Sequence, residues 1–299
     1  MTTAIKPRNT IAIMNTKGGV GKSTLTLALA ETLSSEHGLN VLVIDADAQA
    51  SVSAMLMAPE NLHRVQVGQH SLVDMLVATV LHETNVDWSQ FVVGGVSDNE
   101  DARTIYLIPS DMQLTLFERE VSKENLHGRL RQAIGGLLGE VRRVFDLVLI
   151  DCPPGLSVLT ESWLREADFH ITPTKPDYVS VCGLEVFRRF RNFNPEMGFA
   201  ENLGVVVTMK EAGAEIDEHY HRWLAGNAEN RLFPVAVPRS VAMQRATQFG
   251  AAPRSHGVKY PGDSGAALRV LATEVRARVG GPAASRPAAV APPRLKAAE

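Results

Sequence analysis

The chain has 299 residues, 45% hydrophobic and 21% charged, with a formal net charge of −3. This is the balance of an ordinary globular protein; two cysteines are too few for a disulfide-stapled scaffold, and no composition bias suggests a fibrous or wholly disordered chain. No stretch approaches the roughly twenty apolar residues of a membrane helix and no apolar leader is evident, so a cytoplasmic location is expected.

In chain order, Thr10-Ile11-Ala12-Ile13-Met14 predicts a short buried strand, and Ser23 to Leu33, rich in Leu, Ala and Thr, predicts a helix. Between them lies Lys17-Gly18-Gly19-Val20-Gly21-Lys22-Ser23-Thr24. A glycine-rich turn from strand to helix presents backbone N–H groups and the positive end of a helix dipole to phosphate oxygens. In such a turn Lys22 reaches the β and γ phosphates of a nucleotide, and the Ser23 hydroxyl ligates Mg²⁺. The general motif has a glycine five residues before Gly21; Thr16 stands there, and the loop opens on Lys17 instead.

Val41 to Ile44 is a continuous apolar run of the kind buried in a parallel sheet, and it ends in Asp45-Ala46-Asp47-Ala48-Gln49, so two carboxylates emerge at a strand's C-terminal end. Leu126 to Val144 reads as a helix. A second apolar run, Phe145 to Ile150 interrupted by Asp146, leads into Asp151-Cys152-Pro153-Pro154-Gly155. An acid there can hold Mg²⁺ through its waters, and the prolines and glycine fix a turn able to sense a γ-phosphate. Taken alone, an aspartate after a strand is as readily a capping or turn residue. Ala167-Asp168 through Pro173 is followed by Tyr178, Ser180 and Gly183-Leu184, with a helix over Val181 to Phe193. Val205 to Met209 and Val235 to Arg239 read as the last strands. The alternation predicts an α/β fold, a single domain with a mostly parallel twisted sheet, helices on both faces and the site at its C-terminal edge. The boundaries expected are 1–279 for that domain and 280–299 for an Ala/Pro/Arg-rich tail whose composition predicts disorder.

From Thr10 to Arg278 these segments resemble, in order, the ParA/MinD family of deviant Walker P-loop ATPases. The resemblance implies ATP and Mg²⁺ as cofactors, with Lys17 to Thr24 as the phosphate loop. Lys17, Lys22 and Asp47 would be catalytic, Asp47 orienting the attacking water from the first switch loop. Ser23, Asp45 and Asp151 would serve the metal, and Met209 and Pro238 would touch the adenine. Lys17 would reach across an ATP-sandwich homodimer to the other copy's phosphates. The family commonly has Pro and Gly where this chain has Ala48 and Ala50, which leaves the hydrolysis rate open. The match is closest to partition and positioning members, whose hydrolysis is slow and stimulated by a ParB-like or other cargo adaptor. A nucleotide-switched recruiter of a polar, envelope or secretion assembly uses the same machinery without DNA.

Other relatives fit less well. Iron–sulfur nitrogenase-type reductases need bridging cysteines in particular places, whereas Cys152 and Cys182 read as small buried hydrophobes. Bacterial tyrosine kinases end in a tyrosine cluster, and the last tyrosine here is Tyr260; arsenite-pump ATPases usually have two phosphate loops, and this chain has one. With the loop near residue 17, a preceding helix-turn-helix domain is not expected. The cluster Glu215, Glu218, His219 and His221 reads as a solvated helix face rather than a metal site.

From Pro238 onward ten basic residues stand against three acidic ones. A basic C-terminal region suits contact with phosphate backbones without sequence reading. By the resemblance, Arg239, Arg254 and Lys259 are candidate contacts to nonspecific DNA, with Arg188, Arg189 and Arg191 as an outside set; a solvated basic surface or internal ion pairs would produce the same count. The tail carries four prolines and only Leu295 among large apolar residues, so no membrane-binding amphipathic helix is expected there.

Overall fold

The computed structural model describes residues 7–280, so the tail expectation for 281–299 lies outside the described residues. In chain order the elements are β1 Thr10–Ile13, α1 Lys22–His37, β2 Val41–Asp45, α2 Ser51–Leu56, α3 Pro59–Val67, α4 Leu72–Leu76, β3 Val93–Gly94, β4 Ile105–Ile108, α5 Leu114–Lys123, α6 His127–Val144, β5 Leu147–Asp151, α7 Val158–Glu166, β6 Phe169–Thr174, α8 Tyr178–Phe193, β7 Glu201–Lys210, α9 Glu215–Ala225, β8 Val237–Pro238, α10 Val241–Ala246, α11 His256–Lys259 and α12 Gly262–Arg278. The strands form one sheet in the order β3-β4-β2-β5-β1-β6-β7-β8. Every neighbouring pair is parallel except β3 with β4.

The central strands are apolar on both sides because helices cover both faces. Successive side chains alternate, so Ile11, Ile13, Val41, Val43, Leu147 and Leu149 pack with α1 and α12, while Ala12, Met14, Leu42, Ile44, Val148 and Ile150 pack with α4 to α7. Ile11 and Ile13 have no exposed surface. Truncating either to alanine would leave a cavity at the sheet's centre and cost about 2–5 kcal/mol.

The sequence reading passed over β4. Ile105-Tyr106-Leu107-Ile108 pairs along β2 and makes that strand internal, and its β-branched and aromatic content carried the signal. β1 and β5 lie side by side at the middle, with β2 and β6 outside them. The loops leaving β1, β2 and β5 therefore converge at one edge of the sheet.

Candidate functional site

The loop after β1 is held at its entry by Asn15, whose Nδ2 donates to Pro173 O at 2.7 Å and whose Oδ1 accepts the Lys17 N–H at 2.8 Å. Gly19 and Gly21 adopt φ values of 69° and 82°, the left-handed region where a Cβ is costly. α1 begins at Lys22 with no side-chain cap, so its first-turn N–H groups remain available to an anion. Lys22 is buried, and its Nζ donates to Lys17 O at 3.3 Å. Burial lowers its pKa, opposed by the charges of Asp151 and Asp47. Lys17 is exposed. Its side chain lies on α8, so close that a Cβ on Gly183 would meet Lys17 Cγ and Cε at 3.0 Å.

Parallel register sets Asp45 beside Asp151, and both are fully buried. Asp45 Oδ2 accepts the Ser53 N–H at 2.9 Å and the Ser53 hydroxyl at 2.6 Å, and Oδ1 accepts the Asp47 N–H at 3.2 Å. Burial, then the neighbouring Asp151 charge, pushes the Asp45 carboxyl up to about 8. Asp151 Oδ1 accepts the Thr26 hydroxyl at 3.0 Å, while Oδ2 is buried with no hydrogen-bond partner among the described residues. Burial raises this carboxyl to about 6, against the pull of the nearby Ser23 and Thr26 hydroxyls. Asp47 is half-buried at the mouth; its Oδ1 accepts the Gln49 N–H at 3.0 Å and its carbonyl accepts the Ser110 hydroxyl at 2.7 Å. Ala50, at the start of α2, has φ 50°. A non-glycine residue there costs about 1–2 kcal/mol. Cys152 is buried, and burial pushes its thiol well up, as expected of an inert packing residue.

A cavity of about 520 Å³ opens beside the loop, lined among others by Gly21, Thr24, Met209, Val237, Pro238 and Met243. That volume is within the range of small-molecule sites. The structure thus brings Met209 and Pro238 to one cavity with the phosphate loop. Met209 has φ 55°, a second strained backbone at the same edge. Sequence reasoning missed Asn15, Thr26, Ser53 and Thr208, which orient these groups. Thr26 carried a signal, being three residues after Ser23 and so on the same helix face; Ser53 follows Asp45 by eight residues across the loop to α2, Thr208 acts on Val20 from 188 residues away, and neither spacing carried one.

The basic candidates fare differently. Lys259 is a correction: its side chain is 0% exposed, and Nζ donates to Glu31 Oε1 at 2.7 Å and Asp98 Oδ1 at 2.5 Å. Glu31 lies on a buried face of α1, where a carboxylate needs a cation and further donors; Ser97 and Tyr260 supply hydroxyls at 2.5 and 2.7 Å. A lysine so held cannot meet DNA. Arg254 is likewise turned inward, its guanidinium paired with Asp98, which also accepts the Gly250 N–H at 2.7 Å. Arg239 is exposed on the cavity rim and paired with Glu211 at 2.6 Å. Arg188 pairs with Glu185 and Glu229, Arg191 is half-buried and Arg189 is exposed.

The geometry has known counterparts. A family model described as an AAA domain matches residues 8–197. The chromosome partitioning protein ParA of Caulobacter vibrioides is 30% identical over 283 residues, covering 91% of this chain and 95% of that protein. ParA of Myxococcus xanthus is 28% identical, covering 80% and 78%. Among solved structures, apo McdA of Cyanothece superposes with a TM-score of 0.71 at 20% identity, covering 91% of this chain and 100% of that one. The cell division ATPase MinD of Pyrococcus furiosus gives 0.62 at 23% identity, covering 91% and 99%. With a phosphate loop, two buried aspartates and a cavity at one edge of a parallel sheet, and with these relatives along almost its whole length, the chain belongs to the ParA/MinD family of P-loop ATPases.

Proposed function

We propose that this chain is a slow, switchable ATPase that dimerises around ATP and drives the partition or positioning of a cargo. The observation that carries the reading is Lys17, exposed at the mouth of the loop, making no ion pair among the described residues and lying over Gly183. A free cation beside the phosphate cradle is suited to the nucleotide of a facing copy, whose charge otherwise opposes dimerisation. The chromosome partitioning relatives support the cellular role.

ATP fits with its base in the cavity at Met209 and Pro238 and its phosphates on Gly18, Gly19, Val20, Gly21, Lys22, Ser23 and Thr24. The site also suits Mg²⁺: Asp151 Oδ2 is buried and has no hydrogen-bond partner among the described residues, next to a second buried carboxylate. Ser23 and Asp151 would hold the ion, in part through waters, and when bound it supplies positive charge that neutralises the phosphates. Both Asp45 oxygens already accept protein donors, so Asp45 serves by fixing Ser53 and the backbone of Asp47. Lys22 neutralises the β and γ phosphates. Asp47 orients the attacking water, and its restraint by Gln49 and Ser110 keeps the carboxylate at the mouth.

The test is Lys17→Ala. Light scattering with ATP and a phosphate-release assay should give a chain that binds nucleotide, stays monomeric and hydrolyses far more slowly. Dimerisation and turnover at the parental rate would sink the proposal.

A second reading, a nucleotide-switched recruiter without DNA, is favoured by the inward commitment of Lys259 and Arg254. ATP-dependent, salt-sensitive retention on nonspecific DNA supports the partition reading; intact dimerisation without retention supports the recruiter. Co-purification with an Asp47→Ala chain held in the ATP state would identify the adaptor in either case.

A further inference from the structure

We infer that Thr208 is a positioning residue for the phosphate loop, and that the bulge it begins ties the base cavity to that loop. This rests on the nucleotide reading above. β7 and β8 pair at Thr208 with Val237 and at Lys210 with Pro238, so Met209 is an extra residue on β7. Bulges re-aim side chains beside functional sites. Along a regular strand Thr208 and Met209 would point to opposite faces; here both bear on the same loop. The buried Thr208 Oγ1 donates to Val20 O at 2.7 Å. Met209 Cε lies 3.3 Å from the position a Cβ on Gly21 would take, with Thr208 Cβ at 3.9 Å.

The consequence follows from peptide geometry. In a planar trans peptide the carbonyl and the following N–H point in opposite directions. Anchoring the Val20 carbonyl on Thr208 therefore turns the Gly21 N–H away from Thr208, the sense a phosphate cradle requires. Without the hydroxyl a buried carbonyl loses its donor, and the peptide is free to turn toward another. Met209 meanwhile lines the cavity proposed for the base. The two ends of one nucleotide thus press on two consecutive residues of one bulge.

Thr208→Val keeps the shape and removes the donor; Thr208→Ser keeps the donor; Met209→Ala removes the cavity wall and the apolar contact at Gly21 but leaves the Thr208 hydroxyl in place. Each is measured in the full chain for equilibrium affinity toward Mg-ATP and toward inorganic tripolyphosphate, which has no base, alongside thermal melting. Thr208→Val should weaken both ligands roughly tenfold, the scale of one buried hydrogen bond, and Thr208→Ser should recover both to within about twofold. Met209→Ala should weaken ATP several-fold and tripolyphosphate less, since it removes the cavity wall as well as a contact with the loop at Gly21. The inference is overturned if Thr208→Val binds both ligands like the parent, whether or not its melting temperature falls. It is also overturned if tripolyphosphate binding survives while ATP binding is lost, which would assign Thr208 to the base alone. A parent chain that binds neither ligand would instead refute the nucleotide reading beneath it.

Discussion

Lys259→Met separates two accounts of the basic C-terminal segment. Lys259 joins Glu31 and Asp98, whose side chains are 0% and 2% exposed, at 2.7 and 2.5 Å. Removing the ammonium leaves Glu31 with the Ser97 and Tyr260 hydroxyls and Asp98 with Arg254 and the Gly250 N–H. Breaking a buried pair in this way costs about 3–5 kcal/mol, because a charge remains without its partner. In a domain this large, each kcal/mol moves the melting temperature about 2–4 °C, so a fall on the order of 10 °C is expected by calorimetry of the nucleotide-free chain. Burial alone would raise the Asp98 pKa, but Lys259, Gly250 and Arg254 outweigh it and hold the carboxyl below its ordinary value. A depressed carboxylate stabilises the fold above its unfolded pKa and loses that contribution as pH falls through the folded value. The penalty of Lys259→Met should therefore be largest near neutrality and shrink below about pH 4. Adding Glu31→Gln and Asp98→Asn should recover much of the loss. A phosphate contact behaves otherwise: it would leave melting unchanged and lower the salt slope of DNA binding by about one. Parental melting with a shallower slope would refute the structural role.

Three further outcomes are expected. Ala50→Gly removes a left-handed backbone cost of about 1–2 kcal/mol and adds about 0.5–1 kcal/mol of chain entropy, so the melting temperature should rise slightly; a fall would contradict the strain at φ 50°. Asp45 has a folded pKa raised to about 8, so the folded chain holds an extra proton between about pH 4 and that value, and nucleotide-free stability should decline as pH rises across this window. Asp45→Asn should flatten that decline in melts taken from pH 5 to 8, and an unchanged slope would dismiss the buried carboxyl as its source. Gly183→Ala puts a methyl 3.0 Å from the Lys17 chain; it should impair ATP-dependent dimerisation in gel filtration while the monomer still binds nucleotide, and normal dimerisation would dissociate α8 from the lysine.

What could be read from the sequence was whatever is local. The phosphate loop, Asp45 with Asp47, and Asp151 each follow an apolar run that can only be a buried strand, so residue type and element appear together. Parallel pairing then brings the three runs to one edge, because β2, β5 and β1 are neighbours. Partners at long range were not legible. Glu31 and Lys259 are 228 residues apart, and nothing near Lys259 marks it as internal. Thr208 and Val20, 188 apart, are joined only through a bulge that no periodicity reveals. β4 was legible and missed: Ile105 to Ile108 is as long as the Val41 to Ile44 run, but no glycine-rich loop or carboxylate pair follows it to draw attention.

The basic residues still able to meet DNA can be named by elimination. Counting charge along a sequence presumes that it reaches the surface, yet Lys259 and Arg254 are answered by Glu31 and Asp98 from earlier in the chain. Arg278 donates to the carbonyls of Leu203, Arg231 and Leu232, pairs with Glu274 and stacks on Phe233. Among the described residues beyond Arg239, that leaves Arg245 on α10 and Arg269 and Arg276 on α12, all exposed. Arg269 and Arg276 are seven apart and share a helix face; the Arg269 contact with Glu36, at 3.9 Å and half-exposed, is too weak to hold it back. If the ATP-bound dimer grips DNA through this part of the chain, three contacts per copy release counterions with a slope of about −5 in log affinity against log salt. Replacing all three by alanine should abolish most of that slope while ATP-dependent dimerisation persists. A steep slope that survives the triple change would move the DNA surface elsewhere, and the exposed Arg189 on α8 would be the next residue to test.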